Sequence, residues 1–113
     1  MSYYSYYTFS VHQKEGGTVT FDEDQEVVTA LREENENARL CMTEDGYPES
    51  HITWYEHEED LKKFSKKYPD LVLQLSVEGE NQGDIADKYF KNGKMQICRA
   101  KIDFDPYDAS KLE

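Results

Sequence analysis

Residues 54–93 constrain the fold of this chain most, because they place a helix, a stop signal and a buried strand in one short stretch. They read WYEHEEDLKKFSKKYPDLVLQLSVEGENQGDIADKYFKNG. The apolar residues at the start recur at helical spacing, so residues 56–67 are predicted to form an amphipathic helix. Acids lead this helix and lysines follow, which is the order that the helix dipole favours. Pro69 predicts that the helix ends after Tyr68.

The strand that follows this helix is predicted to lie near the middle of a sheet. Residues 71–77 (LVLQLSV) are strongly apolar and alternate only partly. After an acidic loop at 78–84, residues 85–90 are predicted as a short amphipathic helix packed on the sheet. Asn92–Gly93 is a hairpin dipeptide, and residues 94–104 are predicted to form the last strand.

The first half of the chain supplies further strands and one acidic helix. Residues 3–12 predict a strand, residues 24–36 an amphipathic helix, and residues 38–42 and 51–55 two more strands. The order is then strand, helix, strand, strand, helix, strand, short helix, strand. It predicts an α+β fold: a single ferredoxin-like domain over residues 1–113, with a mainly antiparallel sheet and two main helices on one face.

The length and composition are typical of one soluble domain. A chain of 113 residues can bury one core, and 37% of its residues are hydrophobic and 33% charged. No segment has the roughly 20 consecutive apolar residues of a membrane-spanning helix. The N-terminus also lacks the basic start and apolar centre of a signal peptide. We therefore expect a cytoplasmic protein that does not contact membranes.

The cysteines and histidines give no motif for a metal site or a catalytic thiol. Cys41 and Cys98 have no partner at ligand spacing, so both are expected to be small buried residues on strands. His57 stands among acids but lacks a second histidine four residues along. It is expected to belong to a solvated helix start.

The net charge of −11 is concentrated in one third of the chain. Residues 22–60 hold fourteen acids against two arginines, a net charge of −12. This distribution argues against direct binding of nucleic acid, which needs clustered lysine and arginine. It favours a basic protein surface reached by electrostatic steering. The acids expected to contact such a partner are Asp22, Glu23, Asp24, Glu26, Glu33, Glu34, Glu36, Glu44, Asp45, Glu56, Glu58, Glu59 and Asp60.

Two roles are open for this acidic surface. It can dock on a basic partner, or it can serve only to keep the protein soluble. We expect a non-enzymatic acidic module that binds protein and needs no cofactor. A general protein-interaction domain of another role is the alternative.

The acidic loop at residues 78–87 is the one segment that suggests a metal. Glu78, Glu80, Asp84 and Asp87 carry oxygen ligands of the kind that magnesium and calcium prefer. Their spacing is not that of an EF-hand, and the chain has neither a nucleophile elbow nor a phosphate-binding loop. A metal-dependent hydrolase built on this loop is a further alternative, whereas the expected role of the loop is structural.

The C-terminal part also resembles a known group of proteins. The pattern consists of Trp54–Tyr55, Leu61, Phe64–Ser65, Tyr68–Pro69, Glu78–Gly79–Glu80, Gly83–Asp84, Tyr89–Phe90, Asn92–Gly93–Lys94 and Asp105–Pro106–Tyr107. Over residues 51–112 it resembles small proteins of phages and mobile elements, including those with a YubB-type ferredoxin-like domain. The resemblance implies that fold and a mobile-element setting, and it implies no catalytic residue.

A phage setting and a dense acidic face together imply an anti-defence inhibitor. Such proteins, anti-CRISPR proteins among them, act as DNA mimics, because closely spaced carboxylates can replace phosphates in a basic channel. The partner would then be a host nuclease or CRISPR effector in the host cytoplasm. Binding would weaken as salt screens the charges.

Overall fold

The computed structural model describes residues 4–81, 83–101 and 103–113. The elements in these ranges are, in chain order, β1 (Ser5–Lys14), α1 (Phe21–Glu34), α2 (Glu36–Cys41), α3 (His57–Ser65), β2 (Leu71–Gly79), β3 (Ile85–Lys91), β4 (Lys94–Arg99) and a short 3-10 helix (Ala109–Lys111). None of the helices described is long and apolar enough to cross a membrane.

The first strand has the period of two that its sequence predicts. In β1 the side chains of Tyr7, Phe9 and Val11 are buried, while those between them are partly exposed. β1 pairs antiparallel with β2, and Phe9 lies opposite Leu75. The register shifts between Val11 and Gln13, so β1 has an irregularity near its end.

The core lies between one face of the sheet and the helices. The four strands are all antiparallel in the spatial order β1-β2-β3-β4. Inward side chains of β1, β2 and β3 meet those of α1, α2 and α3. The buried cluster consists of Tyr7, Phe9, Val11, Val27, Val28, Leu31, Ala38, Cys41, Met42, Trp54, Leu61, Phe64, Leu71, Leu73, Leu75 and Phe90.

Side-chain caps set the start of the first two helices. The Thr20 side chain accepts a hydrogen bond from Glu23 N at 3.1 Å, and three acids follow in the first turn of α1. Asn35 ends α1 and begins α2, where its Oδ1 accepts from Ala38 N at 3.1 Å. One residue therefore separates the two helices.

The hairpin turn predicted between the last two strands is confirmed. Asn92 has φ 47° and Gly93 has φ 85°, which is the left-handed pair of a type I′ turn. The Gly93 N–H donates to the Ser65 hydroxyl at 2.8 Å. This bond ties the β3–β4 hairpin to the end of α3.

The ferredoxin-like fold predicted from the element order is wrong. That fold repeats a strand–helix–strand unit in each half, whereas α1, α2 and α3 all lie between β1 and β2. β2, β3 and β4 follow one another with no helix among the described residues between them. The sheet is therefore a meander, in which neighbours along the chain are neighbours in space.

Several local predictions are also wrong. Residues 38–42 form the end of α2 and its cap rather than a strand. Residues 51–55 contribute only an isolated bridge between Ile52 and Ser5. Residues 85–90 are strand rather than helix. β4 ends at Arg99, so the predicted strand 94–104 is too long; residue 102 lies outside the described residues.

The two cysteines differ in environment. Cys41 is fully buried on α2, and burial raises the pKa of its thiol to about 12, which leaves it protonated and inert. Cys98 is exposed on β4, so the prediction of a buried residue is wrong there. The period of two places it on the face of the sheet that turns away from the core.

Candidate functional site

Two of the acids predicted to face a partner are instead part of the folded framework. The Asp24 carboxylate accepts the Val11 N–H at 2.7 Å, at the point where the register of β1 shifts. The Asp60 carboxylate accepts from Trp54 Nε1 at 2.8 Å and from Asn35 Nδ2 at 3.0 Å. Both carboxylates satisfy donors that would otherwise lose water on folding.

Five further acids form ion pairs within the chain. Glu58 pairs with Lys88 at 2.9 Å, and this hydrogen bond lowers the pKa of the Glu58 carboxyl. Glu23 pairs with Lys14 at 2.9 Å, which lowers the pKa of Glu23. The remaining pairs are Glu34–Lys67, Glu36–Arg39 and Glu59–Lys62. These partners reduce the charge that the five acids offer to another molecule.

Three acids on α1 remain exposed and form no ion pair with any described residue. Asp22, Glu26 and Glu33 share one side of the helix, opposite the buried Val27, Val28 and Leu31. Glu33 lies eleven positions after Asp22, so this acidic stripe is about 16 Å long. We call Asp22, Glu26 and Glu33 the acidic stripe.

The loop after α2 adds acids beside this helix. Glu44 and Asp45 are exposed, and the amide of Gln25 on α1 can donate to Asp45 Oδ1 at 3.1 Å. Glu56 is exposed just before α3. Together with the acidic stripe, these are the predicted partner-binding residues that are both exposed and without a described ion pair.

A groove of about 500 Å³ runs between α1, α2 and this loop. Arg32, Glu33, Arg39 and Glu44 line it with opposite charges. The Arg32 Nε–H is buried and has no hydrogen-bond partner among the described residues. The groove is thus lined by both acidic and basic side chains. The acidic stripe, which shares Glu33 with the groove, consists of acidic side chains alone.

A second cavity has a volume of about 360 Å³. Its lining residues come from the four strands, the connection between β2 and β3, the loop before α3 and the first residue of α3. They are Ser5, Tyr7, Thr53, Trp54, Tyr55, His57, Val77, Asp84, Ala86, Lys88 and Arg99. We call this cavity the Trp54 cleft.

A partly buried lysine and a partly buried histidine meet in the Trp54 cleft. Lys88 Nζ lies 2.6 Å from His57 Nε2, and the Lys88 side chain is only 12% exposed. His57 Nδ1 lies 2.8 Å from the Trp54 carbonyl oxygen. Since the carbonyl can only accept and the ammonium can only donate, His57 is neutral, with its proton on Nδ1. Burial lowers the pKa of His57, and the charge of Lys88 lowers it further.

This network was not predicted from the sequence. His57 was expected in solvent, but it packs against Tyr7 with ring centroids 5.5 Å apart. Trp54 is buried beside it. The only sequence signal was a single tryptophan three residues before a histidine. The inward lysine that completes the network lies 31 residues further along the chain.

The acids proposed as metal ligands do not form a metal site. Glu80 accepts the Tyr4 N–H at 2.7 Å, Glu78 is exposed at the end of β2, and Asp84 lines the Trp54 cleft. Asp87 accepts from the Ser76 hydroxyl at 2.6 Å. Within residues 4–81, 83–101 and 103–113, no three histidine, cysteine, aspartate or glutamate side chains could hold a metal ion.

Comparison with protein families gives a match over the middle of the chain. The family of CD80-like C2-set immunoglobulin domains matches residues 22–82. The match covers more than half of the chain, and the chain belongs to this family. Comparison with curated proteins and with solved structures gives no match.

The secondary structure of the matched segment differs from that of an immunoglobulin domain. An immunoglobulin domain consists of two packed β-sheets, whereas residues 22–82 here contain α1, α2, α3 and β2. Family membership therefore rests on the sequence match. The fold described above, one meander sheet with helices on one face, differs from that sandwich.

The family match corrects the resemblance drawn from the sequence. The match is to an immunoglobulin family and not to YubB-type phage proteins. The mobile-element setting and the anti-CRISPR role that the resemblance implied are wrong with it. Immunoglobulin-like domains bind other proteins and are typically not enzymes.

Proposed function

We propose that this protein is a non-enzymatic binding module that docks on a basic surface of a partner protein through the acidic stripe of α1. The observation that carries the proposal is that Asp22, Glu26 and Glu33 are exposed, aligned and without a described ion pair. The family, whose domains bind proteins, supports it. The cytoplasmic location expected from the sequence stays part of the proposal.

The physical basis is long-range attraction followed by local pairing. A chain of net charge −11 attracts a basic surface over about one Debye length, which speeds encounter. Lysine or arginine side chains of the partner can then pair with stripe carboxylates that have no competing internal partner. Acids such as Asp24 and Asp60 cannot take this role without losing the hydrogen bonds that they accept.

The test is capture of partner proteins from an extract of the source cells. Three forms are immobilised: the natural protein, a stripe variant (Asp22→Asn, Glu26→Gln, Glu33→Gln) and a matched control (Asp70→Asn, Glu78→Gln, Glu113→Gln). Both variants lose three negative charges, and the control residues are exposed and have no side-chain partner among the described residues.

We expect a basic protein on the natural form and on the control, and its loss from the stripe variant. Raising the salt to about 0.5 M should release it, because the Debye length is then only a few ångströms. If the three forms capture the same proteins, or if none is captured, the proposed function is wrong.

A further inference from the structure

The Trp54 cleft and the C-terminal tail each leave apolar surface without a partner. We infer that the tail segment Asp103–Asp108 of a second copy of this chain docks in the Trp54 cleft. The exchange is reciprocal, so that two copies form a closed dimer with two identical contacts. This inference concerns a surface other than the acidic stripe and does not depend on the proposed function.

The tail exposes large apolar side chains that a lone chain cannot cover. Phe104 is 86% exposed, Tyr107 79% and Leu112 69%. The radius of gyration is 16.6 Å, against about 13 Å for a compact domain of this size. The tail thus projects from the domain with aromatic residues in water.

The cleft has the size and the walls to accept such a side chain. Its volume of about 360 Å³ lies in the range of ligand-binding pockets. Trp54, Val77 and Ala86 supply apolar walls. An aromatic ring placed there meets the Trp54 indole, which favours edge or offset contacts with another ring.

Local charge matches the tail to the rim of the cleft. Arg99 lines the rim, is exposed and forms no ion pair with a described residue. Phe104 is flanked by Asp103 and Asp105. A guanidinium beside an aspartate gives a directional contact that can be bidentate. Two other charged residues line the cleft. They are Asp84 and Lys88, and Lys88 is paired with Glu58.

The path of the chain favours a second copy over the same chain. Ala100 N donates to Ile85 O at 2.9 Å, which continues the β3–β4 pairing and directs the tail off the end of the sheet. Of the described residues, none in 103–108 lines the cleft, and Phe104 and Tyr107 are exposed. The tail therefore leaves its own cleft open for the tail of another copy.

The test measures the mass of the full chain in solution together with Trp54 emission. Trp54 is the only tryptophan, so its fluorescence reports on the cleft. Light scattering and emission spectra are recorded from about 1 µM to about 1 mM. Salt of about 0.3 M weakens the repulsion between two copies of charge −11. A reducing agent prevents disulfide formation by the exposed Cys98.

We expect a monomer–dimer equilibrium in which dimer formation shifts the Trp54 emission. Phe104→Ala should raise the dissociation constant at least about tenfold, as for an anchor residue of an interface. Leu40→Ala, which removes an exposed leucine of α2 that does not line the cleft, should leave it unchanged. Arg99→Glu and Asp105→Lys should each weaken the dimer, because each places like charges at both contacts. Mixing the two variants should restore opposite charges at both contacts of a mixed dimer.

Three results would overturn this inference. The protein could remain monomeric over the whole range with unchanged emission. The dimer could persist in Phe104→Ala, which would place the interface elsewhere. Finally, Phe104→Ala could shift the Trp54 emission of a monomer, which would show that the tail docks on its own chain.

Discussion

The indole Nε1 of Trp54 donates a 2.8 Å hydrogen bond to Oδ2 of Asp60, and the same oxygen accepts the Asn35 amide at 3.0 Å. One carboxylate therefore connects the junction of α1 and α2, the loop before α3 and the first turn of α3. By its sequence position Asp60 belongs to the acidic surface. By its contacts it belongs to the framework that holds the helices together.

Removal of this carboxylate should destabilise the protein. In Asp60→Ala the buried indole N–H loses its acceptor, which costs about 1–3 kcal/mol of unfolding free energy. Glu59→Ala is the matched control, because Glu59 lies in the same helix turn and makes only an exposed pair with Lys62. Its cost should stay within about 0.5 kcal/mol. Urea unfolding followed by Trp54 fluorescence measures both, and equal losses would refute the assigned role of Asp60.

Asp24 should show the same contrast on α1. Asp24→Ala leaves the Val11 N–H without its acceptor at the register shift of β1. We expect a loss of about 1–3 kcal/mol. Glu26→Ala, two residues along and exposed, should change the stability by less than about 0.5 kcal/mol. A stable Asp24→Ala variant would mean that the carboxylate does not anchor the β1 irregularity.

Gly46 fixes the loop after α2 against the edge of β1. Its φ is +85°, and a Cβ added there would lie 2.2 Å from the Phe9 carbonyl oxygen. Gly46 O also accepts the Phe9 N–H at 2.9 Å. Gly46→Ala should therefore cost more than about 3 kcal/mol, because backbone strain adds to a displaced hydrogen bond.

Gly16 provides the control for this prediction. Its φ is +74°, but a Cβ there would meet no atom within 4 Å. Gly16→Ala should cost only the left-handed strain, about 1 kcal/mol. Thermal unfolding of both variants measures the difference. A cost for Gly46→Ala no larger than that for Gly16→Ala would contradict the close contact with β1.

His57, which is neutral and partly buried in the folded protein, should make the free energy of unfolding depend on pH below neutrality. The pKa of His57 in the folded protein lies below its ordinary value of 6.5, chiefly because the ring is buried. The unfolded chain therefore binds more protons there, and stability falls as the pH drops below about 6.5. The slope cannot exceed about 1.4 kcal/mol per pH unit for one group. Between pH 6.5 and about 5 this contribution of His57 can be measured apart from that of Glu58, because the ordinary pKa of the Glu58 carboxyl is 4.5.

Replacement of the histidine should remove this slope. His57→Asn keeps a donor for the Trp54 carbonyl but has no group that titrates in this range. His51→Asn, at an exposed histidine, serves as the control and should keep the slope. Urea unfolding at several pH values between 5 and about 7.5 makes the comparison. A natural protein whose stability is flat over this range would contradict a neutral His57.

The regular elements with strong local patterns could be predicted from the sequence. β1 alternates, β2 is strongly apolar, and α3 has an apolar stripe. α3 ends at Ser65, three residues before the end that Pro69 predicted. The Asn92–Gly93 turn requires left-handed backbone that these residues adopt readily. In each case the information lies within a few neighbouring residues.

β3 could not be predicted because tertiary contacts decide its pattern. Every second residue of β3, namely Ala86, Lys88 and Phe90, lies on its inner face. Because Lys88 is charged, the sequence does not show the apolar period of two that is typical of a strand. Lys88 is accepted inside because Glu58 and His57, 30 and 31 residues earlier, hydrogen-bond to it. Lys88 lies in a segment that was predicted as helix, and it is an inward residue of a strand.

The sequence predicts that residues 22–60 are acidic, but it does not show which of these acids are free to contact a partner. The sequence counts fourteen acids in residues 22–60, yet it cannot show which ones accept internal hydrogen bonds. Asp24 accepts from Val11, 13 residues away. Asp60 accepts from Trp54, 6 residues away, and from Asn35, 25 residues away. Only the folded arrangement separates them from the acidic stripe.

The most direct test of the proposed function is a titration of the captured partner with the natural protein, the stripe variant and the control triple variant at about 0.15 M salt. We predict that the stripe variant binds at least about tenfold more weakly, and the control less than about twofold. The loss should shrink as salt is raised, because both partners are then screened. Equal weakening by the two variants would assign the effect to net charge alone. Unchanged affinity of the stripe variant would contradict a role of Asp22, Glu26 and Glu33 in binding.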